Sequence, residues 1–164
     1  MELLKRCWNI MDLKIEDLNL YYFYDRHILH DINLTIKNNK VTTIVGASNS
    51  GKTALIMAIK AVYNNNLPEN GIISSESDYI KYFESKYSVL KIIKQHPELS
   101  PVIIKGTINI PKEIKLLTFD EPNFEDEYEI MKLQKDHMII VATQIPEQAR
   151  RLGGDIIYLF DGCI

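Results

Sequence analysis

Residues 46–53 read Gly46-Ala47-Ser48-Asn49-Ser50-Gly51-Lys52-Thr53. This run fits the pattern G-x-x-x-x-G-K-[ST], the P-loop that binds phosphate groups. Residues 40–45, which precede it, are mostly β-branched and predict a buried strand, whereas residues 54–60 predict a helix. A strand, a glycine turn and a helix N-terminus together form an anion site, because backbone N–H groups and the helix dipole face the ligand.

The P-loop pattern also assigns a role to each position of the loop. Gly46 and Gly51 let the backbone wrap around phosphate groups, and the intervening residues supply N–H groups to them. Lys52 is expected to reach the β- and γ-phosphates, and Thr53 to hold Mg²⁺. The predicted ligands are therefore ATP and Mg²⁺, and the nucleotide-binding set contains Gly46, Ala47, Ser48, Asn49, Ser50, Gly51, Lys52 and Thr53.

Length and composition predict one globular domain. We expect residues 1–164 to form it, with residues 1–10 as an N-terminal extension. The chain is 46% hydrophobic and 25% charged, which is typical of a soluble protein, and its net charge of −3 argues against nucleic acid as a partner. No apolar run approaches the roughly 20 residues of a membrane-spanning helix, and the N-terminus lacks the organisation of a signal peptide.

The two cysteines, Cys7 and Cys163, have no metal-ligand spacing. We expect reduced thiols in a cytoplasmic protein. A disulfide between the two stays open as an alternative, because chain termini are often close in space.

The rest of the chain predicts alternating strands and helices, which indicates an α/β fold with a mostly parallel sheet. Residues 101–111 are expected to be extended, residues 138–144 to form a buried strand, and residues 152–162 to form a turn and a final strand. Near the N-terminus, three segments are expected to form an antiparallel patch: residues 13–22, 32–36 and 40–45.

A second motif consists of an apolar strand, residues 114–119, followed by Asp120, Glu121 and Pro122. In P-loop NTPases an Asp at such a strand end holds Mg²⁺. Glu121 would lie near the γ-phosphate and could orient the attacking water. Gln144 ends the next strand and could also reach the γ-phosphate. A solvated acidic turn is the alternative interpretation.

The Asp-Glu-Pro motif downstream of a P-loop resembles the nucleotide-binding subunit of ABC transporters. Residues 18–22 and 28–34 resemble the opening of the phosphate-import ATPases of that family. The resemblance implies that Tyr22 stacks on adenine. It also implies that Gln95, in a Gln-His-Pro run like the family's Q-loop, helps to coordinate Mg²⁺.

Three features depart from the family pattern. Only 66 residues separate Thr53 from Asp120, so the helical subdomain with its LSGGQ signature is expected to be absent. Gln144 stands where the family has His. Residues 123–129, mostly acidic, replace a small-residue loop, and we interpret them as the solvated start of a helix.

The resemblance implies a P-loop NTPase of the ABC type, an ATP-binding transporter subunit that hydrolyses ATP with Glu121 and Gln144. Its implied partners are a second ABC ATPase, as homodimer or heterodimer, and a membrane permease subunit. The implied location is cytoplasmic, peripheral at the inner face of the cell membrane. Two alternatives stay open: an ATP-binding sensor or regulatory module, and an accessory subunit that pairs with a full-length ABC ATPase.

Overall fold

The computed structural model describes residues 12–22, 26–64 and 102–164. Gln95, and the segment 78–95 whose pattern is ambiguous between helix and strand, lie outside these ranges, as do Cys7 and the N-terminal extension. The described elements follow along the chain in this order: β1 (Leu13–Tyr22), β2 (Arg26–Ile36), β3 (Val41–Val45), α1 (Lys52–Asn64), β4 (Val102–Asn109), β5 (Leu116–Asp120), α2 (Asp126–Leu133), β6 (Met138–Thr143), α3 (Pro146–Leu152) and β7 (Asp155–Tyr158).

Four strands form a parallel sheet in the order β5-β6-β3-β7. Its two central strands, β3 and β6, are buried at every position. This is the pattern of a parallel strand with both faces covered, which requires near-continuous apolar or β-branched residues. All four strands end at the same edge of the sheet, which is where the P-loop leaves β3.

The other three strands form an antiparallel sheet in the order β2-β1-β4. Irregularities interrupt the register beside Asp17 and Asp31, whose φ angles are 49° and 46°. Gly106 on β4 passes so close to β1 that a Cβ there would lie 2.3 Å from the Asp17 carbonyl oxygen. These bulges bend the strands and let the sheet curve over α1.

The expectation that residues 40–45 join the antiparallel patch is wrong. The segment forms β3, which pairs in parallel with β6 and β7, and the third strand of the antiparallel sheet is β4. Asn39, at φ 57°, ends the turn after β2 and redirects the chain into the other sheet. Full burial of β3 explains the choice, because a strand of a one-sided sheet would expose alternate residues.

Helix α1 lies between the two sheets and packs against strands of both. The larger apolar cluster forms around it and includes Leu29, Ile44, Leu55 and Ile59, all fully buried. The opposite face of the parallel sheet is covered by α2 and α3 through Ile130 and Leu152. The parallel sheet is thus sandwiched between helices, as expected for an α/β fold.

Cys163 is a free, exposed thiol. Among the described helices, none combines the length and apolar character needed to cross a bilayer.

Candidate nucleotide-binding site

The P-loop turns tightly between β3 and α1. Gly46 donates its N–H to the Thr143 carbonyl at 3.2 Å, and a Cβ on Gly46 would meet the Leu159 carbonyl oxygen at 2.3 Å. Asn49 and Gly51 have φ angles of 62° and 104°, in the left-handed region. These constraints close the loop into a concave backbone, the form that presents N–H groups to an anion.

Lys52 begins α1 and is only 5% exposed. Its Nζ donates to the Ala47 carbonyl at 2.8 Å, across the mouth of the loop, and lies 3.9 Å from Oε1 of Glu121. A buried ammonium held inside a backbone concavity beside a carboxylate places positive charge where a polyphosphate would lie.

Thr53 and Asp120 meet at the floor of the cavity. Thr53 Oγ1 donates to Oδ2 of Asp120 at 2.8 Å, so a hydroxyl and a carboxylate from α1 and β5 lie side by side. Hydroxyl and carboxylate oxygens are the donors that Mg²⁺ prefers, together with phosphate oxygens and water. Across the described ranges, no group of three or more His, Cys, Asp or Glu could hold a metal ion.

Glu121 follows β5 in a left-handed backbone conformation, with φ 50°. Its N–H donates to the Ala142 carbonyl at 2.8 Å, and its Oε2 accepts from the Gln144 N–H at 3.2 Å. The carboxylate is therefore aimed at the P-loop instead of away from the sheet edge. Gln144 and Glu121 come together just after the ends of the adjacent strands β6 and β5.

These side chains line one cavity of about 590 Å³, a volume within the range of small-molecule sites. Ser48, Asn49, Ser50, Gly51, Lys52, Thr53, Asp120, Glu121 and Gln144 were predicted and lie in its wall, whereas Gly46 and Ala47 shape the loop behind it. Sequence reasoning missed Arg26, Ile28 and Ala54, which also line it. A predicted hairpin between β1 and β2 could have indicated Arg26. In such a hairpin, the first residues of β2 lie beside Tyr22, the residue predicted to stack on the base.

The antiparallel sheet supplies the remaining wall. Tyr22, the last residue of β1, pairs in register with Arg26 at the start of β2. Its neighbour Tyr21 stacks on His27, with ring centroids 4.2 Å apart. Arg26, the register partner of Tyr22, lines the cavity, whereas Tyr22 is not among the residues that line it.

A C-terminal turn supports the P-loop from below. Leu159 donates its N–H to the Val45 carbonyl at 2.8 Å, and Gly162 donates to the Ser50 carbonyl at 2.8 Å. His30 on β2 donates in turn to the Gly162 carbonyl at 2.9 Å. Main-chain bonds therefore connect the phosphate loop to the antiparallel sheet through this turn.

The acidic run after Pro122 does begin a helix, α2. The interpretation that the run is solvated is wrong at one position, because Glu127 is only 6% exposed. Arg151 on α3 binds its carboxylate bidentately, with Nε and Nη2 at 2.9 and 2.7 Å. These hydrogen bonds hold the pKa of Glu127 below its ordinary value and raise the pKa of Arg151.

Several known proteins are similar to this chain in sequence or in fold. A sequence model described as ABC transporter matches residues 29–150. The phosphate import ATP-binding protein PstB of Mycoplasma pneumoniae is 44% identical over 57 residues, which are 35% of this chain and 17% of that protein. The lactococcin-A transport/processing ATP-binding protein LcnC of Lactococcus lactis is 33% identical over 97 residues, 59% of this chain and 13% of that protein. The zinc import ATP-binding protein ZnuC of Wolbachia pipientis wMel is 36% identical over 81 residues, 49% of this chain and 32% of that protein.

Two solved structures share the fold. The ATP-binding subunit of an ABC transporter superimposes with a TM-score of 0.54 at 15% identity, covering 93% of this chain and 87% of that one. The protein cbiO1 from Clostridium perfringens, part of the ABC transporter complex cbiONQ, gives 0.52 at 19% identity, covering 92% and 85%. The curated relatives are matched over much less than half of their own length, so they show the kind of domain and not a whole transporter.

Proposed function

The chain belongs to the family of ABC transporter ATP-binding domains, and on this premise we propose that it binds Mg-ATP in the P-loop cavity and hydrolyses it. One observation carries the proposal. The buried Lys52 ammonium, the Thr53–Asp120 pair and the Glu121 carboxylate converge on a single cavity from the start of α1 and the end of β5.

The phosphate chain is bound by the loop and by Lys52. Backbone N–H groups of residues 47–53 donate to phosphate oxygens, and the Lys52 ammonium neutralises charge on the β- and γ-phosphates. Thr53 and Asp120 hold Mg²⁺, which when bound supplies positive charge to the transferring phosphoryl group. Gln95 is proposed as a further metal contact on the family resemblance alone.

Glu121 is the proposed base for hydrolysis. Its carboxylate lies 3.9 Å from Lys52, so it stands beside the place of the terminal phosphate. There it accepts a hydrogen bond from the attacking water and would take its proton as the water oxygen bonds to the γ-phosphorus. The bond from that phosphorus to the β–γ bridging oxygen breaks in the same step, and ADP leaves. Gln144 can donate a neutral hydrogen bond to a γ-phosphate oxygen. Tyr22 is proposed to stack on adenine.

We propose that the chain serves a transporter as its ATP-binding subunit at the cytoplasmic face of a membrane, with a second ABC ATPase and a permease as partners. Phosphate is the proposed solute, because the N-terminal strands resemble phosphate-import ATPases. The relatives named above act on phosphate, zinc and lactococcin by their printed names, so the likeness supports the ATP-binding role more than any one solute.

A second candidate function is ATP binding without turnover by the chain alone, as a sensor or as an accessory to a full-length ABC ATPase. Two observations favour it. Gln144 is exposed and carries no titratable charge toward the γ-phosphate. The 66 residues between Thr53 and Asp120 leave little length for a signature-bearing subdomain.

The deciding experiment measures ATP turnover by the purified chain with Mg²⁺ and compares it with the residual turnover of Glu121→Gln. We expect Glu121→Gln to lower turnover by about a thousandfold while ATP binding persists, as for loss of a general base. Glu125→Gln, an exposed carboxylate on the same segment, is the matched control and should keep parental turnover. Equal rates for parent and Glu121→Gln would refute the role of Glu121. Binding without any turnover would favour the second candidate, and light scattering with and without ATP would then test for a partner ATPase.

A further inference from the structure

The segment that follows Glu121 is tied to two helices by buried polar side chains. The Pro122 carbonyl accepts a hydrogen bond from Nε2 of Gln148 on α3 at 2.9 Å. The same nitrogen lies 3.2 Å from Oε1 of Glu127 on α2, and Arg151 binds that carboxylate from α3. Gln148 and Glu127 are only 2% and 6% exposed. These contacts form one network that meets the backbone immediately after Glu121.

The residues that lead into helix α3 also contact Glu121. The N–H of Gln144, two residues before α3 begins at Pro146, donates to Oε2 of Glu121. Gln148, the third residue of the helix, donates a hydrogen bond to the Pro122 carbonyl, which follows Glu121 in the chain. The side chain of Glu121 and the backbone that follows it are therefore both held by α3 and the residues leading into it.

The backbone at Glu121 needs such a restraint. A φ of 50° is unfavourable for a residue with a side chain, and such conformations persist only when the surroundings enforce them. In the network, Gln148 uses its amide N–H₂ group twice, whereas its Oε1 is buried without a partner among the described residues. The Nε2 group of this buried amide thus connects the backbone after Glu121 to the Glu127 carboxylate.

We propose that Gln148, Glu127 and Arg151 are positioning residues that hold Glu121 in the nucleotide cavity. The inference rests on the proposed function, since it takes Glu121 as the carboxylate that acts on water. It adds three residues that touch neither nucleotide nor metal. It also explains why the buried Glu127 carboxylate is paired with Arg151 at a position where the sequence alone indicates a solvated helix start.

The test uses amide hydrogen exchange, measured by NMR on the whole chain without nucleotide. Gln148→Leu and Arg151→Ala should each accelerate exchange at the Glu121 and Gln144 amides by about tenfold, because local opening becomes easier when the restraint is lost. The Gly162 amide, bonded to Ser50 on the other side of the P-loop, should be unchanged. Arg150→Ala is the matched control, because Arg150 lies on the same helix but is exposed and paired only with Glu147 among the described residues.

Two results would overturn the proposal. One is exchange at Glu121 and Gln144 that stays at the level of Arg150→Ala. The other is equal acceleration at all amides, Gly162 included, which would show general destabilisation. If Arg151→Ala fails to fold, Arg151→Lys serves instead, because it keeps the charge and loses the bidentate contact. Its acceleration should fall between those of the parent and Gln148→Leu, and a parental exchange pattern in both variants would refute the network.

The turnover of ATP gives a second measurement, which distinguishes a positioning role from a purely structural one. Gln148→Leu should lower kcat about tenfold with KM unchanged, and this loss should vanish in the Glu121→Gln background if Gln148 acts through Glu121. An equal kcat loss in both backgrounds would contradict the proposal. If the exchange pattern changes as expected but no variant hydrolyses ATP, the positioning network is supported and the hydrolytic role of Glu121 is wrong.

Discussion

The parallel and antiparallel sheets face each other across α1, yet they carry polar groups in different ways. In the parallel sheet β3 and β6 are buried throughout, and polar side chains gather where the strands end, at Asp120, Glu121 and Gln144. In the antiparallel sheet the polar side chains lie along the exposed face. There Asn19 and Asn33 donate hydrogen bonds to Asp31 at the bulges. Parallel strands end together at one edge, so a parallel sheet can concentrate reacting groups there, whereas an antiparallel sheet offers only a wall.

If the parallel sheet and the P-loop bind the phosphate groups, loss of Lys52 should have the largest effect on ATP binding. Lys52→Ala should weaken ATP binding about a hundredfold, as expected when a buried charge-assisted contact is removed from a phosphate site. Titration with a fluorescent ATP analogue would measure it. Lys60→Ala, an exposed lysine on the same helix, should bind like the parent. If the two variants bind equally, the phosphate site does not lie at the end of β3.

The wall formed by the antiparallel half should contribute less. Tyr22→Ala should weaken ATP binding about tenfold, since stacking of a base on an aromatic ring contributes about 1–3 kcal/mol. Tyr21→Ala is the comparison, because Tyr21 already stacks on His27. The same titration applies. A greater loss for Tyr21→Ala would move the base to the neighbouring tyrosine, and no loss for either would separate the antiparallel sheet from nucleotide binding.

The smallest effect concerns acid stability and is specific to the parallel half. Because Arg151 lowers the pKa of Glu127 below its ordinary value of 4.5, ionised Glu127 stabilises the fold above that pH. This stabilisation is lost progressively as pH falls through the lowered pKa. Urea unfolding of the parent and of Glu127→Gln should therefore differ near neutrality and converge in acid. Glu129→Gln, exposed on the same helix, is the control; a parent–Glu127→Gln difference that stays constant from neutral to acid pH would contradict the assignment.

The elements around the P-loop were predictable because their signals are local. The strand before Gly46, the helix after it and the strand ending at Asp120 each follow from adjacent residues. The second partner of β1 was not predictable from adjacency. Strand β4 comes more than 75 residues later, and pairing between distant strands leaves no local trace in the sequence. Helix α3 was missed since it has only seven residues, although Pro146 at its start and Gly153 after its end are both boundary signals.

Within the site, the sequence identified residues that belong to motifs and missed those that depend on tertiary contacts. Lys52, Thr53, Asp120 and Glu121 meet as the motif spacing implies. In the sequence Glu127 cannot be told from its exposed acidic neighbours, and its burial beside Arg151 depends on the approach of α3. Arg26 was missed for the same reason, since its place in the cavity depends on how β2 returns beside β1.

The turn at Gly162 has a consequence for the ligand itself. Its main-chain bonds run from β2 to the P-loop, and a Cβ there would meet the Ile28 carbonyl oxygen at 2.1 Å, so the two walls are held at a fixed separation. A ligand contacts both walls only if the distance from its base to its last phosphate matches that separation. We therefore expect affinity to depend on the length of the nucleotide as well as on its charge. Nucleoside triphosphates should bind more tightly than diphosphates or monophosphates, which are too short to contact both walls.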